Sequence, residues 1–314
     1  MIVDCHVHLS AFTPGHGYMS RTLLDSLPFR FMRWKFGLVG EDVNTERTLE
    51  ELLARTVAEA NPVNTAVVLA FDAVHDAAGK RDAARTHFEV GNDYVRDVTR
   101  KYPGLLYGAS IHPYRRDAVQ ELERVARDGA VLIKWLPITQ DIDPSDARCV
   151  PFYEALADLK IPLLSHTGWE RTLPTANAHV ADPALLTPAL ERGVTVIMAH
   201  CGTKSFYGES CHVDSFMRMA REWEHCYGDT SALNLPTRSY GWRRLLEDDV
   251  VRDKLVHGSD WPILPLPPLR RVGLTGALAL LREKNWMKRD ALVKQRLGLE
   301  GEYWTRAGRL LRRK

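Results

Sequence analysis

The chain has 314 residues, 45% of them hydrophobic and 26% charged, and its 42 basic and 40 acidic side chains give a formal net charge of +2. That length suits two ordinary domains or one large α/β barrel. The near balance of charge gives no global reason to expect nucleic acid or an acidic membrane as partner. Five cysteines (Cys5, Cys149, Cys201, Cys211 and Cys226) form no CxxC pair, which argues against a disulfide framework and for a reducing, cytoplasmic setting. The opening MIVDCHVHL lacks the pattern of a signal peptide, and no run of about 18 apolar residues marks a membrane span.

In chain order, the first apolar run is IVDCHVH (2–8), and similar runs recur at 65–71, 105–111, 131–136, 161–166, 194–200, 224–229 and 254–259. Helical patterns fall between them at 47–60, 85–102, 117–128, 151–159, 183–192, 213–222, 239–246 and 269–284. Strands and helices in such alternation predict a (β/α)8 TIM barrel. A doubly wound open sheet is the runner-up, but the place where it usually carries a GxGxxG turn holds HVHLSAF (6–12). Residues 9–45 are an insertion after the first strand, and its basic and aromatic stretch SLPFRFMRWKFGL (26–38) is expected to form a lid or a subunit contact. Residues 286–314 are expected to add two C-terminal helices. With no repeat, low-complexity tract or linker in view, residues 1–314 read as one barrel domain. The insertion and the C-terminal helices offer surface for a homodimer, the commonest assembly.

Catalytic groups of such barrels sit at the C-terminal ends of the strands. The first strand ends His6-Val7-His8, and strand alternation puts both imidazoles on one side. The fourth strand carries Lys134, the fifth ends on His166, the sixth on His200, and Asp260 follows the eighth. A lone HxH more often belongs to structural histidines than to a metal site. The whole set converges on one point of a barrel mouth, and neutral imidazoles with a carboxylate suit Zn²⁺, with Mn²⁺ and Fe²⁺ as rivals. His112, Trp169 and Trp261 follow the third, fifth and eighth strands and point weakly to a partly apolar or aromatic substrate. Arg30 and Arg33 of the insertion suit a carboxylate or phosphate. Cys201 has no base beyond a histidine already committed to the site, so a thiol mechanism is not expected.

The motifs DCHVHL, LLSHTG, VIMAHCG and HGSDWP resemble the metal-dependent amidohydrolase superfamily. The closer resemblance is to its amidohydrolase-related branch, which includes aminocarboxymuconate-semialdehyde decarboxylase, resorcylate decarboxylases and lactone hydrolases. The resemblance implies that His6, His8, His166 and Asp260 bind one metal ion. It implies for His200 either a second-metal ligand or an acid/base. For Lys134 it implies either a carbamate bridging two ions or a cation that meets a substrate carboxylate; an ion pair with Asp260 is the plainer reading. The expected activity is hydrolysis of a small carboxylated lactone, amide or related molecule, with one or two ions per chain. Asp260 would take the proton of the attacking water, and His200 would polarise the carbonyl or protonate the leaving group. The first alternative is a non-oxidative decarboxylase or hydratase; a metal-bound binding protein without catalysis is opposed by the intact Asp260 and His200 pair.

Overall fold

The computed structural model describes residues 1–206 and 208–312, so the last two residues of the expected C-terminal region lie outside the described residues. The apolar runs form eight parallel strands: β1 Val3–His8, β2 Thr65–Leu69, β3 Leu105–Ala109, β4 Leu132–Trp135, β5 Leu163–His166, β6 Val196–Ala199, β7 Cys226–Asp229 and β8 Leu255–Val256. They pair in chain order. The seam from β8 to β1 is joined by Cys5 N–H to His257 O at 3.0 Å, Asp260 N–H to His6 O at 2.9 Å and His8 N–H to Trp261 O at 2.8 Å. Sequential pairing with a joined seam is the TIM barrel rather than the open sheet.

Alternation along each strand sorts side chains between two cores. Val67, Leu69, Leu132, Leu164, Ile197 and Val256 meet in the barrel interior, whereas Val68, Ile133, Trp135, Leu163 and Val196 face the surrounding helices. In β1, Val3 and Cys5 belong to the inner cluster and Val7 to the outer one. Its pairing with β2 shifts register between Asp4 and Val7. A bulge of this kind re-aims side chains, and His6 and His8 meet above the inner cluster as a result.

The C-terminal helices occur as expected, at Trp286–Arg296 and Glu302–Leu310. Ala307 and Leu311 complete the inner cluster beside Leu106 and Val131, so this segment plugs the N-terminal end of the barrel. Only the opposite end is left for a site. No helix among the described residues is long and apolar enough to cross a membrane.

Three elements depart from expectation. The helix placed at 85–102 begins at Asn92, and Phe88–Val90 instead pairs antiparallel with Gly17–Met19 of the insertion. Phe88 and Val90 alternate like a strand, but their partner lies far away in sequence. The helix placed at 183–192 is a 3-10 turn, Pro183–Leu186, followed by Thr187–Glu191; Pro188 has no N–H with which to continue an α-helix. The helix Leu269–Leu281 is interrupted at Gly273, whose φ is +71°. The rest of the insertion forms two helices, Arg21–Leu24 and Leu27–Phe36, the second starting with proline in its first turn and ending at the left-handed Gly37. Phe36 packs on Trp261 and Trp286, with ring centres 5.6 and 5.3 Å away.

Candidate metal centre

Three side chains from the two ends of the seam converge at the open mouth. His6 Nε2 lies 3.0 Å from His8 Nε2 and 3.3 Å from Asp260 Oδ1, and His8 Nε2 lies 3.2 Å from that same oxygen. The ring proton of His6 is committed elsewhere, because Nδ1 sits 2.7 Å from Asp229 Oδ2, which only accepts. Nε2 is therefore left with its lone pair, and Asp260 brings lone pairs alone. Burial, followed by the charge of Lys134, pulls His6 below the usual imidazole value. Burial alone would raise the Asp260 carboxyl, but His6, His8 and His200 outweigh it and hold the carboxyl well below the usual range. Neutral imidazole and ionised carboxylate are the protonation states that ligate a divalent ion.

The ligands are held from behind. Asp229 at the end of β7 orients His6, and Ser231 Oγ reaches both His6 Nδ1 at 3.0 Å and His200 Nδ1 at 2.9 Å while also bonding Asp229 Oδ1. A carboxylate behind a ligating histidine fixes its tautomer and raises its basicity. Asp4 Oδ1 accepts from His6 N–H at 3.1 Å and Ser259 N–H at 2.9 Å, tying β1 to the β8 turn. A Cβ on Gly258 would stand 3.0 Å from His6 Cβ, so this turn approaches as closely as it does because the residue is glycine. His200 and Asp260 have φ of +61° and +65°. Left-handed backbone at non-glycine residues is strained and clusters at functional sites.

Two more histidines border this group. His200 Nδ1 donates to Ser231 O at 2.9 Å, which leaves Nε2 unprotonated, and burial followed by the charge of Arg238 pushes its pKa down to about 3. His166 packs edge-on against the His200 ring, with centres 4.7 Å apart. Both His166 nitrogens are buried without a hydrogen-bond partner. Such orphans are rare and costly, and they fit a residue built to meet something other than protein. His6, His8 and Asp260 form a group with ligand atoms within 4.8 Å of one another; His166 and His200 stand next to it.

Lys134 is completely buried, and its Nζ lies 3.1 Å from His6 Nε2. It pairs with no carboxylate among the described residues, so the expected ion pair with Asp260 is not formed. Burial pushes its pKa down to about 8. The other expected contacts are dispersed. Both His112 nitrogens are engaged, Nε2 with Gln140 O at 2.9 Å and Nδ1 with Tyr114 N–H at 3.2 Å. Arg33 pairs with Glu41, and Arg30 is exposed. The Trp169 carbonyl accepts from Arg238, and Trp261 is buried against Phe36. Cys201 is buried, and burial raises its thiol well above the usual value, which disfavours the thiolate.

Sequence reasoning did not single out Asp4, Ser231 or Arg238. Ser231 follows Asp229 by two residues, a spacing that would have placed both on one side. Arg238 spends its N–H groups on Thr203 O, Trp169 O and Ser205 Oγ, at 2.8, 2.6 and 2.6 Å. It therefore fixes the loops after β5 and β6. The mouth itself is a cavity of about 80 Å³, bordered by His8 and Asp260 on one side and by Phe29 and Met32 of the insertion on another.

Comparison with known proteins matches residues 3–285 to a family model described as amidohydrolase. No curated protein matches the sequence. An uncharacterised TIM-barrel protein from Bordetella bronchiseptica is similar in structure at 17% identity, covering 95% of this chain and 100% of its own, with a TM-score of 0.57. A probable 2-pyrone-4,6-dicarboxylic acid hydrolase from Acinetobacter baumannii is 12% identical, covering 95% and 99%, with a TM-score of 0.55. A putative enzyme of the same name from Pseudomonas putida is 15% identical, covering 96% and 98%, with a TM-score of 0.52. At these identities the structural likeness speaks for the fold, while the family match runs through all eight strands. The chain belongs to the amidohydrolase family.

Proposed function

We propose that this chain is a metal-dependent hydrolase that adds water to the carbonyl of a small lactone, ester or amide. The observation that carries the reading is the convergence of His6 Nε2, His8 Nε2 and Asp260 Oδ1 within 3.0–3.3 Å. Three protein ligands with room for a further one is the pattern of catalytic rather than structural zinc sites, and His166, with two orphaned nitrogens, is the fourth candidate. A divalent ion held there, Zn²⁺ before Mn²⁺ or Fe²⁺, supplies Lewis acidity and makes water acidic near neutral pH.

The chain's own groups do the rest. Asp229 keeps the proton of His6 on Nδ1, so that Nε2 stays a ligand. Asp260 accepts the proton lost by the attacking water and delivers it to the departing oxygen or nitrogen. His200, with its proton held on Nδ1 by Ser231 O, presents an unprotonated Nε2 to the same space. This suits a ligand or a proton acceptor better than a proton donor. Phe29 and Met32 exclude water from above, and the insertion helix acts as a lid.

One observation favours a second reading. A buried ammonium beside His6 without a carboxylate partner is placed to meet a substrate carboxylate, as decarboxylation of a small acid requires. The two reactions separate cleanly. Metal-loaded protein is incubated in isotope-labelled water with a panel of lactones, esters and amides, and with a panel of aromatic and unsaturated acids. Oxygen label from the water entering a product acid supports hydrolysis; release of CO₂ from an acid, with no oxygen label in the remaining product, supports the second reading.

A further inference from the structure

The cavity over the candidate metal centre is walled mostly by apolar side chains. Its walls include Phe29, Met32, Phe71, Phe88, Leu136 and Ile263, drawn from the insertion, the ends of β2 and β4, the ribbon and the β8 turn. Its charged lining is Asp260 and Glu170, and no lysine or arginine lines it among the described residues. Glu170 is fixed in place by backbone hydrogen bonds. Its Oε1 accepts from the backbone N–H groups of Arg171 at 2.8 Å, of Thr172, and of Leu173 at 3.3 Å, and its Oε2 lies 3.8 Å from His166 Nδ1. The cations around it are hydrogen-bonded to other groups. Arg33 pairs with Glu41, and Arg238 donates to Thr203, Trp169 and Ser205. Lys134 lies against His6, outside the cavity walls.

We infer that the part of the substrate beyond the reacting carbonyl is small, uncharged and apolar, an alkyl or aryl group rather than a second carboxylate. This rests on the metal-centred reading above and differs from the carboxylated substrate expected from the sequence. Away from the metal centre, a carboxylate moved from water into this cavity would meet no lysine or arginine in its walls and would face Glu170. An unpaired buried charge is expensive, and a like charge adds to the penalty. The aromatic and aliphatic walls reward the opposite choice, because apolar area removed from water is favourable. The modest volume of about 80 Å³ limits the group to a few heavy atoms unless the insertion moves.

The test uses two hydroxamic acids with the same metal-binding end and nearly the same shape. One is 4-methylpentanohydroxamic acid, ending in a branched alkyl group; the other is the monohydroxamate of succinic acid, ending in a carboxylate. Binding to the full-length, zinc-loaded protein is read by calorimetry, without reliance on turnover. The neutral compound is expected to bind at least about tenfold more tightly. The variant Met32→Arg, which adds a cation to the wall, is expected to narrow or invert that ratio, with its thermal midpoint confirming that it folds. Equal or tighter binding of the carboxylated compound to the unaltered protein overturns the inference and leaves the metal-centred reading standing. Binding of neither compound overturns that reading and the inference with it.

Discussion

Two lysines are completely buried among the described residues, and their surroundings are opposite. Lys294, on the helix Trp286–Arg296, has its ammonium 2.5 Å from Asp290 Oδ2 and 2.6 Å from Gly258 O, and Asp290 in turn accepts from Asn234 Nδ2 at 2.7 Å. Its charge is fully answered, and the chain of bonds braces the β8 turn that carries Asp260. Lys134, at the mouth end of β4, has a histidine nitrogen at 3.1 Å and no carboxylate among the described residues. Folding alone gives no reason to leave a buried ammonium without an anion. One lysine is answered by the protein and belongs to the architecture. The other has no carboxylate partner among the described residues, and it is the decarboxylase reading proposed above that would give it one.

The largest expected effect falls on the chemical side. Asp260→Asn removes a ligand and the proton acceptor together, and turnover of any substrate should fall by about 10²–10⁴-fold with the fold intact by circular dichroism. Next comes the direct contrast of the two lysines in urea denaturation. Lys294→Met strands Asp290 and should cost about 3–5 kcal/mol, much of which Asp290→Asn in the same chain should restore. Lys134→Met should leave the midpoint unchanged or raise it, and on the decarboxylase reading it should also abolish CO₂ release. Equal destabilisation by the two substitutions would erase the distinction between them. A smaller effect is expected behind the metal. Asp229→Asn should weaken metal affinity by about 10–100-fold, measured by competition with a chelator.

The smallest effect tests whether the mouth is anchored independently of the metal. Glu46 accepts from Phe12 N–H at 2.6 Å, Thr13 N–H at 2.8 Å and His16 Nδ1 at 2.7 Å, pinning the start of the insertion. Burial would raise its carboxyl, but these bonds outweigh it and hold it below the ordinary 4.5. A carboxyl lowered by folding adds stability that is full above its unfolded value and fades as pH falls through its folded value. The thermal midpoint of Glu46→Gln should therefore lie below that of the parent protein at pH 7, with the gap closing as pH drops below about 4.5. A constant gap down to pH 3 would show that charge on Glu46 does not matter.

Much of the centre was legible because β/α barrels put chemistry in one place, at strand ends, and the sequence marks those ends with His8, His166 and His200. The HxH spacing located two members of the candidate group, and the residues after β8 located the third, Asp260. What escaped depends on contacts between distant segments. The ribbon that replaces the first turns of the helix expected at 85–102 needs Gly17–Met19, which no local pattern ties to Phe88. The same holds for the partner of Arg33: a basic residue among aromatics reads as a ligand site until Glu41 is seen beside it. Ser231 and Asp4 were hidden for another reason. Their side chains act on ligands rather than as ligands, and residue type alone does not announce that role.

The most direct test of the account is the metal content of protein purified without added metal or chelator, set beside that of Asp260→Asn. The account predicts about one divalent ion per chain in the parent protein and a clear loss in the variant. A parent protein that carries no ion, and takes up none when Zn²⁺ or Mn²⁺ is supplied, would contradict it.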